Sequence, residues 1–291
     1  MTHTRQPILA QPFLKWAGGK GQLLDQYAPY FPASDLRAYF EPFVGSGAVF
    51  FHLRGRAQQF THYHLSDSNA ELINCYCAVR DHVDALIARL AAHRDGHSHE
   101  YYYRVRGCDR DPAWGQTPAA ERAARMIYLN KTCYNGLWRV NRKGYFNVPI
   151  GRYKNPDILR EERLRAASCA LQGVTLAPRP FEAVCDHARP GDFVYFDPPY
   201  DPLSATASFT SYAADDFGPD DQRRLADVFA ALASQGCRVM LSNSDTDFVR
   251  DLYRSYRIET VCARRAINSA SDKRGPISEV VVLNSTPHPR D

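Results

Sequence analysis

The chain has no apolar run approaching the roughly 18 residues that a membrane-spanning helix needs. Its start, Met-Thr-His-Thr-Arg-Gln-Pro, lacks the apolar core of a secretory signal. No membrane association or secretion is expected, and the predicted location is the cytoplasm. Eight cysteines are present but scattered, with only Cys75 and Cys77 close together and no Cys-x-x-Cys pair. That spacing argues against a disulfide framework and a zinc site, so no metal is expected and most of the thiols are predicted to be small buried apolar residues. The pair His62-x-His64 suits the exposed face of a strand better than a ligand set. No internal repeat or low-complexity tract occurs. The glycine turn Gly45-Ser46-Gly47 lacks the third glycine of G-x-G-x-x-G, which disfavours a dinucleotide pyrophosphate.

Acidic residues are missing from one stretch altogether. Residues 131–154 contain Lys131, Arg139, Arg142, Lys143, Arg152 and Lys154 and no Asp or Glu, so with the chain at +4 the remainder is slightly acidic. The same stretch holds Tyr134, Asn135, Leu137, Trp138, Tyr145 and Tyr153. Positive charge interleaved with rings suits phosphate neutralisation together with stacking or wedging against bases. A solvated hairpin with ordinary surface charge would read the same way on these residues alone.

The 291 residues alternate strand and helix with one interruption. Tyr39-Phe40-Glu41-Pro42-Phe43 predicts a strand feeding the glycine turn, followed by a helix over 48–53 and a strand ending at Leu65-Ser66-Asp67. From Asn69, apolar residues recur at three and four residue steps through Leu90, predicting one long amphipathic helix. Residues 77–170 then read as mainly helical, with a helix over 119–133 and a hairpin over 139–148 turning at Asn141-Arg142-Lys143-Gly144. Alternation resumes with strands at 173–176, 193–196 and 237–241, a helix over 220–234, and a last run at 277–283 expected to close the sheet; the final few residues read as a disordered tail. The predicted division is therefore 1–76 with 171–291, and an inserted 77–170.

Asp197-Pro198-Pro199-Tyr200 follows the apolar run Phe193-Val194-Tyr195-Phe196, where a buried strand ends. A carboxylate, a proline-locked backbone and an aromatic face together suit the gripping of a planar amine, although a rigid turn with a capping Asp remains open. Asp67 lies at a strand end twenty residues beyond Gly47, where it can accept from both hydroxyls of a ribose or simply cap the next helix. A nucleoside cofactor without a pyrophosphate fits this pattern. S-adenosyl-L-methionine is such a molecule, and its sulfonium is favoured by carboxylates and ring faces.

Taken together, Phe13-Leu-Lys-Trp-Ala-Gly-Gly-Lys20, Glu41-Pro-Phe-Val-Gly-Ser-Gly47, Asp67-x-Asn69, Tyr134-Asn-Gly-Leu-x-Arg139, Phe146-Asn-Val-Pro-x-Gly-Arg-Tyr153, Asp197-Pro-Pro-Tyr-x-Pro-Leu-Ser204 and Leu241-Ser-Asn-Ser-Asp-Thr246 resemble the Dam-type DNA adenine-N6 methyltransferases, of the α group and D12 class. The resemblance runs through nearly the whole chain. It implies an α/β fold, a Rossmann-like methyltransferase sheet built from both chain ends with a mainly helical target-recognition domain inserted. It also implies S-adenosyl-L-methionine as cofactor and double-stranded DNA as partner, in a bacterial or phage-encoded, nucleoid-associated enzyme. Carried over by position, Trp16, Lys20, Asp67 and Asp197 would contact the cofactor, with Glu41, Phe43, Gly45 and Ser46 supporting it. Lys15, Leu137, Arg139, Pro149 and Tyr153 would read GATC, Tyr134 and Asn135 would enter the duplex beside a flipped adenine, and Lys131 and Arg152 would hold phosphates. Asp197, Pro198, Pro199 and Tyr200 would be the catalytic residues. The sequence departs from the family at Lys131-Thr132-Cys133 and at the bulky Trp138.

The chemistry reads consistently with that resemblance. Asp197 and the Pro198 carbonyl can accept the two N6 hydrogens of adenine, and Tyr200 can stack on the base. Asp197 needs no unusual pKa for this. The chain contains no Pro-Cys dipeptide of the kind that supplies a cytosine-C5 nucleophile, which accords with direct displacement. Arg139 can donate twice to a guanine, Lys15 can bond another, and Leu137 and Pro149 can touch a thymine methyl. Two alternatives stay open: a glutamine-N5 methyltransferase, whose motif begins with Asn rather than Asp, and a DNA-binding module without catalysis.

Overall fold

The computed structural model describes residues 9–34, 36–56, 60–201, 217–263 and 277–284. Pro202-Leu203-Ser204 of the longer motif and the last residues lie outside these. In chain order the described elements are α1 (Leu24–Tyr27), β1 (Leu36–Glu41), α2 (Ala48–Arg54), β2 (Phe60–Asp67), α3 (Ala70–Asp81), α4 (Val83–Asp95), α5 (His99–Gly107), α6 (Ala119–Thr132) and α7 (Glu161–Leu171). They continue with β3 (Thr175–Pro178), α8 (Val184–His187), β4 (Phe193–Phe196), α9 (Pro219–Ser234), β5 (Arg238–Ser244), α10 (Asp247–Leu252), β6 (Arg257–Ala263) and β7 (Ile277–Leu283).

Two compact units result. A helical unit takes Met1–Gly19, Gly45–Ala57 and Asn69–Leu176, and a sheet unit takes Lys20–Val44, Gln58–Ser68 and Ala177–Asp291. The sequence-expected boundary between 76 and 77 falls inside α3.

In the sheet unit seven strands run in the order β3-β2-β1-β4-β5-β7-β6. β1 is parallel to β2 and to β4, and β4 to β5, whereas β7 runs antiparallel to both β5 and β6. The chain thus reverses its winding direction at β1 and β4, the place where open α/β sheets gather ligands beyond their carboxyl ends. Central position explains composition: Phe193, Val194, Tyr195 and Phe196 of β4 are all buried, because a parallel interior strand is covered on both faces. Val194, Phe196, Val239 and Leu241 pack with Leu225, Phe229, Leu232 and Val249 of α9 and α10. On the other face the rings are aromatic, with Tyr39 stacked on Phe193 at 5.8 Å and Tyr27 edge-on to Tyr195 at 6.4 Å. α9 begins at Pro219, and Asp221 Oδ2 accepts from the Gly218 amide at 2.8 Å to satisfy the first turn.

Three expectations change here. The run 277–283 does not close the sheet: β7 lies between β5 and β6, and β6, not anticipated from the sequence, forms the edge. β6 reads Arg-Ile-Glu-Thr-Val-Cys-Ala, and its interspersed charge is what an edge strand tolerates and a central one does not. The single long helix from Asn69 is two helices broken at His82, whose φ of −135° and ψ of 35° leave the helical region although neither Gly nor Pro is present. Finally, only Cys75, Cys133 and Cys237 are buried; Cys77, Cys108 and Cys185 are half-buried and Cys169 and Cys262 exposed, all eight being free.

The helical unit buries Leu72, Ile73, Tyr76 and Val79 of α3, Leu86 and Leu90 of α4, Tyr128 and Leu129 of α6, and Leu164 and Leu171 of α7. α5 and α7 were not separately foreseen within the helical stretch. The hairpin over 139–148 is reduced to one antiparallel bridge, Val140 with Phe146, turning at Asn141, whose amide donates to Tyr145 at 2.9 Å. Among the described residues no helix is long and apolar enough to cross a membrane.

Candidate functional site

The sheet unit brings carboxylates to the carboxyl ends of three neighbouring strands: Asp67 ends β2, Glu41 ends β1 and Asp197 follows β4. Glu41 is buried and accepts from the Tyr39 hydroxyl at 2.8 Å. The Asp67 carbonyl accepts from the Arg179 amide at 3.1 Å. Capping of α3 is done by Asn69, whose side chain accepts from the Leu72 amide at 3.1 Å, so the cap reading of Asp67 is taken by a neighbour. Phe43 stacks on Phe181 at 5.3 Å and meets Phe217 edge-on at 5.7 Å, within an aromatic cluster of this unit.

Asp197 is the most constrained of these groups. Its Oδ1 lies 2.9 Å from the Lys20 ammonium and accepts from Ser242 Oγ at 2.9 Å. Ser242 is itself fixed by the Tyr195 hydroxyl at 2.8 Å. Burial pushes the Asp197 carboxyl up, with Lys20 and Ser242 opposing and Glu279 adding to the rise. The sequence reading required no such shift.

The prolines are held from a buried amide network. The Pro199 carbonyl accepts from Gln222 Nε2 at 3.0 Å, Gln222 Oε1 accepts from Asn243 Nδ2 at 3.0 Å, and Asn243 Oδ1 accepts from the Ser244 amide at 2.8 Å. Tyr200 donates its hydroxyl to Glu279 Oε2 at 2.6 Å, and the Lys20 ammonium lies 4.2 Å from its ring centroid. Burial, with Asp197 nearby, holds the Tyr200 phenol well above its ordinary value, so it stays protonated and donates. Gln222, Asn243 and Glu279 were missed in the sequence. Asn243 alone had a signal, as part of Leu241-Ser-Asn-Ser-Asp-Thr246.

The helical unit holds the glycine turn. Gly45 and Gly47 have φ of +47° and +69°, and a Cβ at Gly45 would lie 2.9 Å from the Trp16 indole, one at Gly47 2.7 Å from the Tyr76 hydroxyl. Tyr76 locks the turn by donating to the Gly45 carbonyl at 3.0 Å. Trp16 thus lies against Gly45, and the Trp16 carbonyl and Ser46 hydroxyl both lie beside Gly19.

In the same unit a second cluster forms around Asn130. This side chain, fully buried in α6, accepts from the Lys15 amide at 2.8 Å and donates to the carbonyls of Lys15 at 2.6 Å and Gly136 at 2.9 Å. It so ties Lys15 to the turn of Tyr134, Asn135 and Gly136, where Asn135 takes a left-handed φ of 55°. The Lys15 ammonium lies 4.5 Å from the Tyr153 ring centroid, and the Pro149 carbonyl accepts from the Tyr134 amide at 2.9 Å. Tyr134, Leu137 and Tyr153 are exposed by 53, 38 and 39 %. Arg139 Nε donates to Asn147 Oδ1 at 2.8 Å across the hairpin, and Arg152 and Pro149 are exposed. Burial pushes the Lys131 ammonium down to about 8, opposed by Asp157. Asn130 gave no signal beyond a polar residue on an apolar helix face.

Known proteins are similar to this chain over most of its length. Residues 16–267 match the family described as D12 class N6 adenine-specific DNA methyltransferase. The chain is 45% identical over 287 residues to the type II methyltransferase M.MjaIII of Methanocaldococcus jannaschii, covering 94% of this chain and 99% of that one. It is 42% identical over 282 residues to the type II methyltransferase M1.LlaDCHI of Lactococcus lactis subsp. cremoris, covering 96% and 97%. A DNA adenine methylase of Escherichia coli K12 is 36% identical over 276 residues, covering 93% and 94%. The chain belongs to the D12 class of N6 adenine-specific DNA methyltransferases.

Proposed function

We propose that this enzyme transfers a methyl group from S-adenosyl-L-methionine to N6 of adenine in double-stranded DNA, within GATC, by rotating the base out of the duplex and displacing the methyl group directly. The observation that carries the reading is the fixing of Asp197 just beyond β4: Lys20 and Ser242 both hold its Oδ1, and Oδ2 is the oxygen proposed to accept an N6 hydrogen. Adenine N6 is a poor nucleophile because its lone pair is delocalised into the ring. Two acceptors, Asp197 Oδ2 and the Pro198 carbonyl, pin the amino hydrogens and turn the developing lone pair out of conjugation. A carboxylate raised by burial is the stronger acceptor, and the Gln222 bond to Pro199 keeps the prolines in register. Tyr200 offers its face to the base while Glu279 fixes its hydroxyl.

The residues present suit the methyl donor. Carboxylates at the strand ends, rather than a cluster of cations, match a ribose diol and a sulfonium and not a pyrophosphate. Lys20, Asp67 and Asp197, with Trp16, Glu41, Phe43, Gly45 and Ser46, are the residues proposed to hold it. Bound there, S-adenosyl-L-methionine supplies an electrophilic methyl on a sulfonium that becomes a neutral thioether.

Recognition is assigned to 77–170 and catalysis to 1–76 with 171–291, Lys15 joining the reading set from the first segment. Arg139, steadied by Asn147, donates to a guanine; Lys15 bonds the second guanine; Leu137, Pro149 and Tyr153 read by contact. Tyr134 and Asn135 fill the space beside the flipped base, and Lys131 and Arg152 neutralise phosphates. Action on DNA places the enzyme in the cytoplasm with the nucleoid. Labelled methyl transfer to duplexes with and without GATC tests the proposal. N6-methyladenine confined to GATC supports it; equal labelling of both duplexes removes GATC, label on glutamine favours the protein-methylating alternative, and binding without label favours a module that only binds DNA.

A further inference from the structure

Glu279 is the third residue of β7, and because β7 runs antiparallel to β5, with Glu279 in register with Ser244, it arrives at the edge of the sheet where the parallel strands end. Its Oε2 accepts from Tyr200 at 2.6 Å and lies 4.0 Å from the Lys20 ammonium, which is also 2.9 Å from Asp197. The side chains of Lys20, Glu279 and Asp197 are only 4, 14 and 19 % exposed. Two carboxylates thus share one ammonium, one acid more than base among these three groups, in a place where water screens charge poorly. Acceptance of the N6 hydrogens uses Asp197 and Pro198, and the support of Tyr200 asks of Glu279 an acceptor oxygen but no charge.

We propose that Glu279 sets the preference of the enzyme for the methyl donor over the demethylated product: its charge allows the Lys20 ammonium and a sulfonium to be held side by side, and that attraction disappears when the sulfur becomes neutral. The inference rests on the reading that S-adenosyl-L-methionine is the donor. In the transfer the N6–carbon bond forms, the carbon–sulfur bond breaks with its electron pair on sulfur, and the surplus proton passes from N6 to solvent water. A site tuned to a cation then releases a neutral thioether more readily than it binds the donor.

Calorimetric titration of the full chain, without DNA, with S-adenosyl-L-methionine, S-adenosylhomocysteine and an analogue bearing a protonated amine in place of the sulfonium tests this. Glu279→Gln keeps the size and an oxygen that accepts from Tyr200 while removing the charge. Its affinity for the two cationic ligands is expected to fall about tenfold relative to the neutral product, whose retained binding also reports an intact fold. Glu279→Asp, which restores charge, is expected to regain part of the preference. Equal loss for all three ligands in Glu279→Gln, an unchanged ratio, or a Glu279→Asp protein that behaves like Glu279→Gln overturns the proposal. Failure of the parent protein to bind donor or product would instead remove the donor reading on which it stands.

Discussion

Lys20, in the sheet unit, is 3 % exposed and wedged between carboxylates, whereas Tyr134, Leu137 and Tyr153, in the helical unit, stand open to solvent by a third to a half of their surface. The contrast follows from what each unit is proposed to do. Orienting an amine needs groups whose hydrogen bonds are undiluted by water, so the strand ends accept the cost of burying Asp197 and offset it with Lys20 and Ser242. Reading a duplex needs rings and charges that reach outward, so the helical unit buries only their supports, chiefly Asn130. On the proposed function, the buried pairs set rate and the exposed side chains set choice of site.

The largest effect expected from breaking this contrast is on the buried side. Asp197→Ala should lower the turnover rate by about a thousandfold or more, measured in single-turnover transfer to a GATC duplex; near-normal turnover would sink the mechanism. Next is the hidden support of the open side. Asn130→Ala removes three hydrogen bonds and leaves backbone groups of Lys15 and Gly136 unsatisfied, which should destabilise the protein by about 2–4 kcal/mol in urea unfolding. A loss below about 1 kcal/mol would show that Lys15 and the turn do not depend on it.

These two residues also mark how far the sequence was legible. Asp197 could be found because a buried strand has a local signature and its end is where open sheets place ligands. Asp67 and the glycine turn were visible for the same reason. Asn130 and Glu279 were not, since each acquires its role from a partner distant in sequence: Lys15 for one, Tyr200 and Lys20 for the other. Glu279 also depended on β7 entering between β5 and the unforeseen β6, a topology that the apolar run of 277–283 does not reveal. The break at His82 lacks a Gly or Pro to announce it, and apolar periodicity continues across it.

Smaller effects sharpen the comparison. Arg139→Ala should cost roughly 1–3 kcal/mol of discrimination at one base pair while sparing the rate on the preferred site far more than Asp197→Ala does. Transfer rates on duplexes changed singly at each position of GATC would check this, and undiminished selectivity would remove Arg139 from the reading set. The mildest expectation concerns pH. Because burial raises the Asp197 carboxyl and the ionised form is the acceptor, the turnover rate should fall as pH drops through a midpoint above the ordinary carboxylate range of about 4. With the sign of that shift, the buried charge weakens the fold fully above the midpoint, and the penalty fades as pH falls from there to the ordinary carboxylate value. An acid limb at or below the ordinary range would show that Asp197 is better solvated than its surroundings indicate.

Separation of chemistry from reading is tested most directly by duplex binding with Asp197→Asn, which keeps the shape of the side chain and removes its charge. Affinity for a GATC duplex and for one altered at a single base pair, titrated at fixed salt, should show the parent's preference within a few fold, in a protein that no longer transfers methyl groups. Loss of that preference together with the activity would contradict the account.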